Sequence, residues 1–101
     1  MTVKEMFENK YCERMATITE REWKTAKYNA ERNKMHIAEY IVRSIEITEK
    51  DFYSNGIYYD GGELGSLHKQ KLIASNRHRQ ERGHITVYWL TEKGYKQLFA
   101  E

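Results

Sequence analysis

At 101 residues the chain has the length of one domain, and its composition of 40% hydrophobic and 32% charged residues, with eight Tyr, three Phe and two Trp, is too apolar and aromatic for a disordered tail. One cysteine, Cys12, excludes an intramolecular disulfide and a multi-cysteine zinc site, which fits a reducing, cytoplasmic setting, and it reads as a small, partly buried apolar residue. The formal charge of +2 conceals an asymmetry: residues 64–84 hold Lys69, Lys71, Arg77, Arg79 and Arg82 against the single acid Glu81, a net of +4, which leaves −2 for the rest.

In chain order, residues 2–15 carry Val3, Met6, Phe7, Tyr11 and Met15 at spacings of three and four, the pattern of a short amphipathic helix. Residues 16–18 read as a connection. Thr19 and Glu22 have capping-box spacing and open a second helix. Its apolar positions continue through Trp23, Ala26 and Ala30 to Ile37, Ile41 and Ile45, but residues 29–34 are polar and contain two asparagines, so the pattern allows one long helix or a break near Asn33. Met35, Ile37, Ala38, Ile41, Val42 and Ile45 form a broad core face. Thr48 caps a very short helix over 49–55, stopped by Gly56.

After Ile57, Tyr58 and Tyr59, Asp60 is placed to cap a helix over 62–71, with Leu64, Leu67 and Leu72 inward and Ser66, His68, Lys69 and Gln70 outward. The pattern then changes to a strand over 72–76, a polar connection over 77–83 and a β-branched and aromatic strand over 84–90. In that last strand Ile85, Val87 and Trp89 are expected against the helices and Thr86 and Tyr88 on the other face. Thr91 caps a final helix over 92–99, and Gly94 allows it to pack closely.

Helix, short helix, helix, strand, turn, strand, helix is the element order of a winged helix. The run from Gly65 through Ser66, Leu67, His68, Lys69, Gln70, Lys71 and Leu72 to Ile73, a basic turn, and then Val87-Tyr88-Trp89-Leu90-Thr91-Glu92-Lys93-Gly94-Tyr95 resembles the C-terminal half of winged-helix transcription regulators of the MarR and PadR type. The likeness covers residues 48–99, about half the chain. It implies an α+β fold: a winged helix-turn-helix core over 31–101 and additional N-terminal helices over 1–30, together one domain. It further implies a duplex-DNA-binding protein, a small transcriptional regulator, with Ser66, His68, Lys69 and Gln70 presented to a major groove. Lys71 and the wing residues Arg77, His78, Arg79 and Arg82 would then meet the phosphate backbone or the adjacent minor groove.

Two features depart from that pattern. Residues 57–62, with two tyrosines and two glycines, intervene before the recognition helix, and residues 1–30 lie outside the likeness. Related regulators commonly form homodimers through such extra helices, so Met6, Phe7, Tyr11 and Trp23 are candidates for either a dimer interface or the monomer core.

Catalysis is not expected, because the sequence holds no phosphate-cradling glycine loop, nucleophile elbow or Ser/His/Asp arrangement. No cofactor or metal is expected either: His36, His68, His78 and His84 lack ligand spacing on one element, although His78 and His84 could face each other across the turn. No run nears the roughly 18 apolar residues of a membrane span, and no basic-then-apolar leader is visible. A solvated basic hairpin and a protein-interaction module, using Tyr53, Tyr58, Tyr59 and Trp89 as the contact surface, remain alternatives to DNA binding.

Overall fold

The computed structural model describes residues 1–99. Its elements run α1 (Val3–Thr17), α2 (Glu20–Arg32), α3 (Ile37–Arg43), β1 (Ile47–Thr48), α4 (Glu49–Ser54), α5 (Glu63–Lys69), β2 (Ile73–Gln80), β3 (Gly83–Leu90) and α6 (Glu92–Leu98). Helices and a small antiparallel sheet of order β1-β3-β2 make this an α+β fold.

Short-range chemistry sets most helix starts. Thr2 with Glu5, Thr19 with Glu22 and Thr48 with Asp51 each form a capping box, in which the threonine hydroxyl accepts from a free backbone N–H and the acid accepts from the threonine N–H. Ala16 and Thr17 extend α1 past the expected connection, leaving Ile18 as its C-cap.

Of the two readings around Asn33, the break is the one found. The Asn33 side-chain amide donates back to the Asn29 carbonyl at 2.7 Å, and Lys34 takes the left-handed region at φ 55°. His36 then caps α3, its Nδ1 accepting from the Ala38 N–H at 3.2 Å.

Phe52, Phe7 and Tyr88 form the aromatic centre of the core, with Phe52 edge-on to Tyr88 at 5.5 Å and tilted against Phe7 at 6.4 Å. Val3, Met6, Ile47, Leu64, Leu67, Leu72, Ile73 and Leu90 surround them. Met6 and Phe7 are thus monomer core, which removes them from the candidate dimer interface; Tyr11 packs partly against that core and Trp23 remains exposed. Cys12 is exposed, not partly buried as expected, because it lies off the Val3-Met6-Phe7 stripe of α1.

Four local expectations are corrected. β1 was not foreseen: two residues carry no alternation, and Ile47 and Thr48 are a strand only because Tyr88 and Val87 of β3 lie opposite them. α5 starts after Gly62 with no side-chain cap from Asp60, and it ends at Lys69 because Gln70 is the C-cap and Lys71 is left-handed at φ 62°. β2 runs to Gln80, so Arg77, His78 and Arg79 are strand residues, and the connection shrinks to Glu81 and Arg82, closed by Gly83 at φ 105°.

The fourth concerns the faces of β3. Tyr88 and Leu90 lie in the main core cluster, so Thr86 shares their face by the two-residue period, while Val87 on the opposite face is also buried and Ile85 and Trp89 beside it are half-buried. Phe52 of α4 decides this, since it supplies an aromatic partner for Tyr88 that no strand pattern could announce.

The Leu90-Thr91-Glu92-Lys93-Gly94 stretch works as a clamp on the junction between α5 and β2. Leu90 pairs with Ile73, and the Thr91 hydroxyl donates to the carbonyls of Lys71 and Leu72 at 2.8 and 3.1 Å. Thr91 also caps α6, accepting from the Gly94 N–H at 3.0 Å. Gly94 lies so close beneath Leu72 that an added Cβ would stand 1.8 Å from its carbonyl oxygen. No helix among the described residues is long and apolar enough to cross a membrane.

Candidate nucleic-acid interface

The clamp fixes where α5 ends and β2 begins, and so orients the two elements that carry the cations. In an antiparallel pair, residues directly opposite share a face. Ser75 pairs with core-facing Tyr88, Arg77 with Thr86 and Arg79 with His84, so Ser75, Arg77, Arg79 and His84 lie on the face that turns toward the helices. Ser75 also meets α5 directly, through a hydrogen bond of 3.0 Å between its Oγ and His68 Nε2. Arg77 and Arg79 therefore continue, beyond the core, the side of the sheet on which α5 is docked. All residues of β2 from Ser75 to Gln80 are exposed, as are both turn residues.

His78 differs. It pairs with Ile85 on the opposite face, so it does not share a side with Arg77 and Arg79. It also cannot face His84, which pairs with Arg79, and the alternation of the strand separates the two rings. Among the described residues no group of three or more His, Cys, Asp or Glu side chains is arranged to hold a metal ion.

On α5, Ser66, Lys69 and Gln70 are exposed, whereas His68 is half-buried and tied down on two sides. Besides its bond to Ser75, its ring meets the edge of Tyr59 with centroids 5.8 Å apart. The Gln70 amide donates to Ser66 Oγ at 3.1 Å, so these two residues act on the helix surface as a linked pair. Lys71 follows the helix in the left-handed turn, its side chain exposed and its carbonyl held by Thr91. The sequence reading missed Lys93, whose Nζ donates to the Gln70 carbonyl at 3.3 Å and so adds a cation at the end of α5. Its only sequence signal was its place two residues after the Thr91 cap.

Among the described residues five of the seventeen lysines and arginines are ion-paired, and the twelve others, those of this region among them, are not. Lys10, Arg14, Lys24, Arg43 and Lys96 each bridge a glutamate, at distances from 2.7 to 3.7 Å. None of Lys69, Lys71, Arg77, Arg79 and Arg82 forms an ion pair with any described residue. Glu22, which Arg14 engages, has its carboxyl held below the ordinary glutamate range by that guanidinium and by the Thr19 cap. The basic side chains of α5, the following turn and β2 have no such neighbour, and their field extends into solvent.

Beside α5, the loop from Tyr58 to Gly62 packs against the first helical turn. A Cβ on Gly62 would approach the Tyr58 carbonyl oxygen to 2.5 Å, and one on Gly65 the Tyr59 carbonyl oxygen to 2.3 Å. Tyr59, Asp60, Gly61, Gly62, Gly65, Ser66 and Lys69 line a concavity of about 390 Å³ there. A larger groove of about 640 Å³ runs between α1, α2 and α3, from Lys10 and Arg14 to Tyr40 and Ile45, away from the cation-bearing elements.

No family model, no curated protein and no solved structure matches this chain.

Proposed function

We propose that residues from α3 onward form a winged helix that binds duplex DNA, with α5 entering the major groove and the β2–β3 hairpin lying along the phosphate backbone. The observation that carries this reading is the common side of unpaired cations: Arg77 and Arg79 on the strand face that Ser75 ties to His68, with Lys69 and Lys71 at the end of the docked helix. The order helix, strand, helix, helix, strand, strand, with β3 central in the sheet, supports it from the topology.

On this reading the roles divide unequally. Lys69, Lys71, Arg77, Arg79 and Arg82 supply phosphate contacts, and Lys93 joins them at the helix end. The linked Ser66 and Gln70 pair is what α5 offers to base edges. His68 has a positioning role, because its imidazole joins α5 to β2 and is not free to reach a base. His78 belongs to the far face of the hairpin. As a regulator of transcription, such a protein would work by occupying its site, with no chemistry of its own.

The experiment is a fluorescence anisotropy titration of a labelled duplex at several salt concentrations. Binding that weakens steeply with salt, and that is lost when Arg77, Arg79 and Arg82 are changed together to Ala, is the expected result. Absence of binding at low salt would refute it. One observation favours a second reading, a protein-interaction module: Tyr53, Tyr58 and Tyr59 are exposed at 40%, 58% and 39%. Trp89 would not join that surface, being half-buried on the opposite face of β3. Stoichiometric capture of one protein partner, insensitive to nuclease and abolished by Tyr58→Ala, would support this alternative.

A further inference from the structure

The tyrosines beside α5 have no task in the reading above. Tyr53, Tyr58 and Tyr59 are three of the six large apolar side chains that are exposed among the described residues. Single exposed apolar residues are ordinary on a protein surface, but a cluster of aromatic rings is not. Tyr53 and Tyr58 stack on each other with centroids 5.4 Å apart and planes 25° from parallel, and Tyr58, the more exposed of the two, keeps ring surface open to solvent. The patch is also firmly built, since the backbone of Tyr58 and Tyr59 lies against Gly62 and Gly65 where no side chain fits.

We infer that this patch is a stacking platform for unpaired nucleobases next to the duplex held by α5 and the hairpin. The inference rests on the DNA-binding reading and specifies the form of DNA bound. Three observations point to a base as the occupant. Flat aromatic surface attracts every base through its π-face, whatever the sequence.

Second, the segment that carries the platform adjoins the cations: Tyr59, next in sequence to Tyr58, meets His68, His68 bonds Ser75, and Ser75 shares its strand face with Arg77 and Arg79. A strand leaving the duplex there would keep its phosphates near Lys69 while its bases reach the rings. Third, the adjoining concavity combines Asp60 with Ser66 and Lys69. The Asp60 carboxylate repels a phosphate but accepts from the exocyclic amine of a base. The centre of a protein interface, by contrast, is depleted in such charged groups.

The test compares a fully paired duplex with the same duplex carrying a short mismatched bubble, by anisotropy, on the whole chain. The unmodified protein is expected to bind the bubble roughly tenfold more tightly, the effect of stacking one base. Tyr58→Ala should bring the two affinities level while leaving binding to the paired duplex unchanged, and Tyr58→Phe should keep the preference. Tyr58→Leu, with apolar bulk but no ring, should behave as Tyr58→Ala does and replaces it if that variant unfolds. Equal affinity of the unmodified protein for both DNAs overturns the inference and leaves duplex binding intact. A preference that survives Tyr58→Ala also overturns it. Failure to bind either DNA removes the DNA-binding reading and this one together.

Discussion

Gly94→Ala sets two effects of opposite sign against each other. Gly94 sits in α6, where alanine is favoured over glycine by about 1 kcal/mol, so propensity alone makes the variant more stable. Packing argues the reverse. The new Cβ would stand 1.8 Å from the Leu72 carbonyl oxygen, more than 1 Å inside the closest approach that real Cβ atoms make. That oxygen cannot simply retreat, because it accepts from both the N–H and the hydroxyl of Thr91, at 3.2 and 3.1 Å. Losing two such bonds costs about 2 kcal/mol, and forcing the helix outward adds about 1–3 kcal/mol of overpacking.

After subtracting the propensity gain, the variant should be less stable by about 2–4 kcal/mol, and its Tm lower by roughly 10–30 °C for a domain of this size. Urea denaturation followed by circular dichroism measures this directly. Thr91→Val, which removes the hydroxyl but adds no Cβ at position 94, should account for only part of the loss. A Gly94→Ala protein as stable as the original, or more so, would refute the clamp and with it the account of how α5 and β2 are held.

Changing Arg77 or Arg79 singly to Ala should lower the slope of log affinity against log salt by about 0.9 for each phosphate contact removed, and anisotropy at several salt concentrations reads this out; an unchanged slope would assign that arginine to solvent. His68→Ala breaks the bond to Ser75 and should cost about 1 kcal/mol in urea denaturation while leaving the salt slope as it was; a reduced slope would make His68 a phosphate contact after all. Burial pushes the Tyr88 phenol up from 10.0 to about 12. Between those pH values the unfolded chain releases this proton and the folded chain keeps it, so stability present below pH 10 is lost as pH rises toward 12, by on the order of 2–3 kcal/mol. Tyr88→Phe should flatten that part of the stability curve, and identical alkaline losses in both proteins would contradict the burial of the phenol.

Three helix starts, the strand over 84–90 and the inward leucines could be read from the chain because each depends on residues a few positions apart. Thr19 and Glu22 meet within one turn, as do Thr48 and Asp51, and Thr91 with the Gly94 N–H. The clustering of cations over residues 64–84 was likewise visible, since charge can be counted without a fold.

What tertiary structure decided was which way those residues face. Arg77 and Arg79 looked like loop, because a basic polar run has little strand preference, until pairing with Thr86 and His84 drew them into β2 and onto one side. Tyr88 joins the main core cluster because Phe52, far away in sequence, packs against its ring, while Val87 is buried on the other face of the strand. Ile47 and Thr48 became a strand only where β3 offered partners. Short-range hydrogen bonds and side-chain periodicity are written along the chain, but the choice of face depends on what another segment brings to the contact, and that is settled only when distant segments meet.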